Sequence, residues 1–182
     1  SGHPSRCSDD RVRRVVKGIR KRKKGEAKQR RARPLLPEHL AAMCHWLDQR
    51  WGSRPLRRLR DKAILLTGFA GALRRSELTA LRIGDVRIRD ENVLFFIARS
   101  KTDQEGKGAT VDWAKDDDMK ALGICTIEVL REWLSLRGEA NDDSPFICRV
   151  TKESLDERPV SRENVSRLVR KGAAAIGLEA EH

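Results

Sequence analysis

A mainly α-helical domain carrying one small antiparallel β-sheet is the fold class this sequence predicts, on two observations. Apolar residues recur at helical spacing over most of residues 35–81 and 126–176, whereas between residues 86 and 113 the period shortens to that of strands. A chain of 182 residues is long enough for one ordinary domain plus an arm. The division expected is a basic helix and linker over residues 1–33, followed by the domain proper over residues 34–182.

In the arm, Val12, Val15, Val16 and Ile19 fall on one helical face, with Ser8 or Asp9 as N-cap and Gly25 as the stop. Its apolar stripe has too few neighbours to be buried locally, so the arm reads as the last helix of a preceding domain. GEAKQRRARP then lacks apolar periodicity and reads as a linker ending near Pro34. Pro37 and Glu38 suit a first helical turn, and Leu40, Met43, Cys44, Leu47 and Trp51 continue the helix. Leu59 to Ala72 predicts a strongly apolar central helix, its end weakened by Gly68 and Gly71, where a turn can present a side chain. A short helix is expected over Ser76 to Leu81, with Leu78 and Leu81 inward. VRI, VLFFIA and ATVDW predict three antiparallel strands, the first pair joined by DEN and the second by the polar SKTDQEGKG. Thr126 is a possible N-cap for a helix that turns Ile127, Leu130, Trp133 and Leu134 inward and ends at Gly138. A last helix starts near Ser161, carries Val165, Leu168, Val169 and Ile176, and stops at Gly177.

Charge bounds the partners. Of the formal net charge of +12, +11 sits in residues 1–33, which hold 14 Lys or Arg against 3 Asp or Glu. That density attracts polyanions through counterion release and favours nucleic acid over a small acidic substrate, a membrane surface being the competing partner, with Arg20, Lys21, Arg22, Lys23, Lys24, Arg30 and Arg31 as DNA contacts. A solvated arm is the bland alternative. No apolar run approaches the ~20 residues of a spanning helix, and the amino terminus lacks a signal-peptide stretch, so a cytoplasmic protein without a membrane partner is expected. Cys7, Cys44, Cys125 and Cys148 have no paired spacing, and Cys44–His45 has no further ligands nearby in sequence, so no metal is expected. His3, His39 and His182 lack a catalytic context. Trp46, Trp51, Trp113 and Trp133 suit core or edge packing.

One constellation carries chemistry: GALRRSELTALRIGDV at residues 71–86, then the sheet, then SKTDQEGKG at residues 100–108. Arg-x-x-Glu alone is worthless as a motif. With its extended box, the sheet and the hairpin lysine in that order, the chain resembles the tyrosine recombinases, the phage integrase family. The resemblance implies the catalytic core fold of the DNA breaking-rejoining enzymes over residues 34–182, with the arm as the tail of a core-binding domain. It implies a bacterial or phage-encoded, nucleoid-associated protein and a tetrameric synaptic complex at full length, this piece alone being monomeric.

It also assigns roles. Arg74 is the catalytic arginine, binding nonbridging oxygens of the scissile phosphate where negative charge builds. Lys101 is the general acid to the departing 5′ oxygen. Glu77 orients Arg74, and its alternative is a helix-dipole partner. Arg75 and Lys107 are possible backbone contacts, and no metal or cofactor is required. The family goes on to a His-x-x-Arg box and a tyrosine nucleophile; this sequence contains no tyrosine. The expectation is therefore a recombinase piece that binds DNA but forms no 3′-phosphotyrosyl intermediate. The alternatives are a natural truncated regulator or remnant without catalysis, and an unrelated basic helical binder.

Overall fold

The computed structural model describes residues 34–98, 108–114, 117–138 and 140–178. The chain divides into two units, Ser1–Pro34 and Leu35–His182. The arm, with its expected helix, lies outside the described residues, as does the hairpin carrying Lys101 and Lys107.

Helix α1, Pro37–Trp51, has Pro37 at its first turn and buries Leu40, Ala41, Met43, Cys44 and Leu47. Its start is closed from inside: His39 Nδ1 accepts the Leu36 N–H at 3.2 Å. Helix α2, Pro55–Ala70, begins a turn earlier than its apolar run, because Pro55 has the fixed φ of a helical first residue and needs no N–H there. It is the centre of the domain, burying Leu59, Ala63, Ile64, Leu65 and Leu66. Gly68 does not interrupt it. After Ala70 the Leu73 N–H reaches the Gly68 carbonyl at 3.1 Å, and the left-handed position that closes this turn is Ala72, with φ 47°.

Helix α3, Arg75–Leu78, is a single turn and ends three residues before the expected Leu81, although Leu78 and Leu81 are both buried as expected. A longer helix is forestalled because the next carbonyl and amides pair elsewhere. Leu81 O accepts the Phe146 N–H at 2.8 Å, and Ile83 and Gly84 donate to Ser144 and Asp142 at 2.9 Å each. Gly84 permits this approach, since a Cβ there would sit 3.0 Å from the Asp142 Cβ. A 3-10 turn, Ile83–Asp85, leads into the sheet.

Strands β1 (Val86–Ile88), β2 (Asn92–Ile97) and β3 (Ala109–Ala114) form the expected antiparallel meander. Val86 pairs with Phe95, and Phe95 with Val111, so alternate residues Val93, Phe95 and Ile97 enter the core while Phe96 points out. Helix α4, Asp117–Ala121, short and acidic, carries only Met119 inward. Helix α5, Thr126–Arg137, has Cys125 as N-cap, with Thr126 already inside the first turn and buried. Ile127, Leu130 and Trp133 are inward, and the Trp133 indole donates to the Phe146 carbonyl at 2.9 Å. A second hairpin, β4 (Cys148–Thr151) and β5 (Ser154–Pro159), was not legible in the sequence. Helix α6, Arg162–Ala175, is capped by Ser161, whose Oγ accepts the Asn164 N–H at 3.2 Å. Val165 is buried and Val169 is 40% exposed.

The tryptophans pack as expected. Trp113 meets Phe69 edge-on at 5.9 Å between ring centroids, and Trp51 donates to Asp61. Cys44, Cys125 and Cys148 are free thiols. No group of metal-ligating side chains occurs among the described residues, and no described helix is long and apolar enough to cross a membrane.

Candidate functional site

Arg74 is the N-cap of α3, in extended conformation with φ −66° and ψ 150°, directly after the left-handed turn at Ala72. One turn of helix then returns Glu77 beneath it. The Glu77 carboxylate grips Arg74 twice: Oε1 accepts from Nη1 at 2.8 Å, and Oε2 accepts the backbone N–H at 2.8 Å. The spacing of three that the motif displays is thus the spacing of a capping contact. It fixes backbone and guanidinium together. Glu77 is 8% exposed and Arg74 48%, so the carboxylate is the buried anchor and the arginine the outward face.

The pair opens onto a cavity of about 470 Å³. Ser76, Ala80, Leu81 and Asp85 also line it, together with Phe96, Ile97 and Ala98 at the end of β2. Asp85 repeats the local device, its Oδ2 accepting the Arg82 N–H at 2.9 Å. The same segment is tied across the domain, Arg82 donating to the Asp143 carbonyl and bridging to Pro145. Together these contacts place one arginine, two carboxylates and an exposed aromatic around one hollow.

Arg75, expected as a backbone contact, is exposed but donates through Nη1 to the Ser166 hydroxyl on α6. Neither Asp85 nor Phe96 was singled out from the sequence. Phe96 had a signal: in VLFFIA it is, with Leu94, one of two apolar residues out of phase with Val93, Phe95 and Ile97. Asp85 had none beyond its place in the box. Lys101, Lys107 and the basic cluster from Arg20 to Arg31 lie outside the described residues.

With helices surrounding a small antiparallel meander and an arginine presented where helix and sheet meet, the chain is similar to proteins of the tyrosine recombinase family. The integrase/recombinase xerD homolog of Selenomonas ruminantium is 33% identical to it over 189 aligned positions, which cover all of this chain and 50% of that protein. The crystal structure of XerA recombinase shares the fold, with a TM-score of 0.53 at 17% identity over 86% of this chain and 48% of that one. The chain therefore spans about half the length of the relatives it matches. No family model matches it.

Proposed function

We propose that this chain is a DNA-binding part of a site-specific recombinase, and that the Arg74–Glu77 hollow receives the scissile phosphate. The observation that carries this reading is the double grip of Glu77 on Arg74, which presents a guanidinium at a fixed angle over a cavity. A planar, permanently cationic fork suits the nonbridging oxygens, whose charge grows as phosphorus becomes pentavalent. Glu77 positions it.

Lys101 is the proton donor to the departing 5′ oxygen on this reading. Chain connectivity supports it: Ala98 lines the hollow and Lys101 follows three residues later, within about 11 Å of extended chain. An ammonium beside other cations has its pKa lowered towards that of a useful acid. Residues 1–33 supply most of the duplex affinity through counterion release. With no tyrosine among its residues, the chain holds DNA without forming a phosphotyrosyl bond. At full length the recombinase reading includes a tetrameric synapse and a soluble, cytoplasmic protein.

Fluorescence anisotropy on a duplex of about 30 base pairs tests the proposal. Arg74→Ala is expected to weaken binding about 5- to 10-fold, the effect of removing one charge-assisted phosphate interaction at a half-exposed site. Deleting residues 1–33 is expected to remove most of the affinity and flatten its salt dependence. Equal affinity for Arg74→Ala and the unaltered chain would overturn the phosphate role, and a detergent-resistant covalent adduct on nicked duplex would overturn the binding-only prediction.

A further inference from the structure

The opposite end of α2 carries a second hollow, of about 340 Å³, between the end of α1, the first turns of α2 and α6. Arg50, Arg57, Arg60, Arg167 and Lys171 line it, against the single carboxylate of Asp61, with Trp46 and Trp51 as walls. It shares no residue with the Arg74 hollow. Asp61 precedes the last residue of α2 by nine positions, about 14 Å of helix rise.

The arrangement is built from inside. Asp61 is 4% exposed and is wholly committed: Oδ1 accepts from Arg60 Nε at 2.8 Å and Nη2 at 2.6 Å, and Oδ2 accepts the Trp51 indole N–H at 3.1 Å. It thereby sets the plane of the indole. Upon that indole stack Arg50, at 4.8 Å from guanidinium carbon to ring centroid, and Arg57, at 5.4 Å. A guanidinium held by its face against an aromatic ring keeps its N–H edge for another acceptor. The Arg57 Nε is buried and makes no hydrogen bond, its nearest carboxylate oxygen being Glu153 Oε1 at 3.9 Å. Arg167 and Lys171 stand exposed on α6 along the rim.

We infer that this hollow is a second anion site, taking a phosphate-type oxyanion. Asp61 pairs with Arg60 and Glu153 lies 3.9 Å from Arg57, which leaves Arg50, Arg167 and Lys171 as excess positive charge on the hollow, a repulsion that a bound anion relieves. Arg60 is taken up by Asp61 and Arg167 Nη2 by Asn164 Oδ1 at 2.9 Å, but cations contributed by three helices suit a multiply charged group better than a planar monovalent carboxylate, which one fork saturates. Two sources share this chemistry, a small phosphorylated molecule and a backbone phosphate of nucleic acid.

The test titrates the chain with inorganic pyrophosphate, followed by tryptophan emission, and separately with a duplex of about 20 base pairs, followed by anisotropy. The variant is Arg167→Ala with Lys171→Ala, two exposed side chains whose removal leaves the core intact, checked by an unchanged unfolding midpoint in phosphate-free buffer. The expected result is a pyrophosphate Kd raised about 10-fold in this variant, from the removal of two cationic groups, and unchanged in Arg74→Ala. Weakened pyrophosphate binding alone assigns a small ligand, and weakened duplex binding, with or without it, assigns a backbone phosphate. The inference is overturned if the variant binds both ligands as the unaltered chain does, if pyrophosphate produces no change up to about 10 mM and the variant leaves duplex binding intact, or if a glutamate-rich peptide competes equally well. The Arg74→Ala arm reports on the reaction hollow independently, so the two readings fail separately.

Discussion

Glu153 accepts the backbone N–H of Leu56 through its Oε2 at 3.0 Å, across 97 positions of sequence. The turn of the β4–β5 hairpin thus caps the first turn of α2, whose own N-cap residue, Arg54, makes no side-chain cap. Glu153→Ala is expected to cost about 1–2 kcal/mol, the usual effect of a missing helix cap, while Glu153→Gln, which keeps an acceptor oxygen, retains most of it. Urea unfolding midpoints at constant slope check this; equal midpoints for all three proteins would deny the cap any energetic weight.

Glu77 performs two tasks that substitution separates. Glu77→Gln keeps an oxygen for the Arg74 N–H but removes the charge that holds the guanidinium; Glu77→Ala removes both interactions. On the proposed function, both variants bind duplex more weakly, approaching Arg74→Ala, and only Glu77→Ala is also destabilised, by about 1 kcal/mol. Anisotropy and urea melts on the same samples separate the effects. If the Gln variant bound DNA normally, positioning through charge would be excluded.

Ala72 holds φ 47° one residue before Leu73 and two before Arg74. A left-handed alanine carries about 1–2 kcal/mol of strain that glycine lacks, offset partly by the greater freedom of glycine in the unfolded chain. Ala72→Gly is therefore expected to raise stability by up to about 1 kcal/mol, and Ala72→Val to lower it. A fall on Gly substitution, measured by denaturant titration, would contradict the strain.

Burial pushes the Cys44 thiol from 9.0 up to about 12, Lys62 pulling it down and Asp48 pushing it further up by lesser amounts. The fold favours the neutral thiol. Its contribution is complete below pH 9.0 and is lost as pH climbs from there towards about 12, where the unfolded chain ionises first. Between these limits stability falls by at most about 1.4 kcal/mol per pH unit from this group. Urea midpoints of the unaltered chain and of Cys44→Ala compared above pH 9 isolate that slope, because the remaining titrations are common to both. Parallel pH profiles would mean that the thiol is ionised without penalty.

What could be read from sequence was what local pattern encodes. Helices α1, α2, α5 and α6 have stripes long enough for their period to be unambiguous, and β1 to β3 alternate between turn residues. The β4–β5 hairpin escaped because its turn is Lys152–Glu153, at φ 51° and 61°, where a Gly or Asn is the usual sign. Helix α3 is shorter than its apolar spacing suggests because residues 142–146 take over the hydrogen bonds of Leu81, Ile83 and Gly84. In the site, Arg74 and Glu77 were singled out by the resemblance of the extended box, and the contact between them spans only three residues. The Ser166 partner of Arg75 and the Glu153 cap lie 91 and 97 positions away, beyond any local window.

The strap from Asp142 to Phe146 sets an order of events during synthesis. Arg82 and its partner Asp143 are 61 positions apart, so the floor of the Arg74 hollow emerges from the ribosome well before the segment that fastens it. At ordinary elongation rates that interval is about 3–12 s. During it the arginine box has its local cap but not its anchorage, and the hollow completes only as the sixth helix is about to be made.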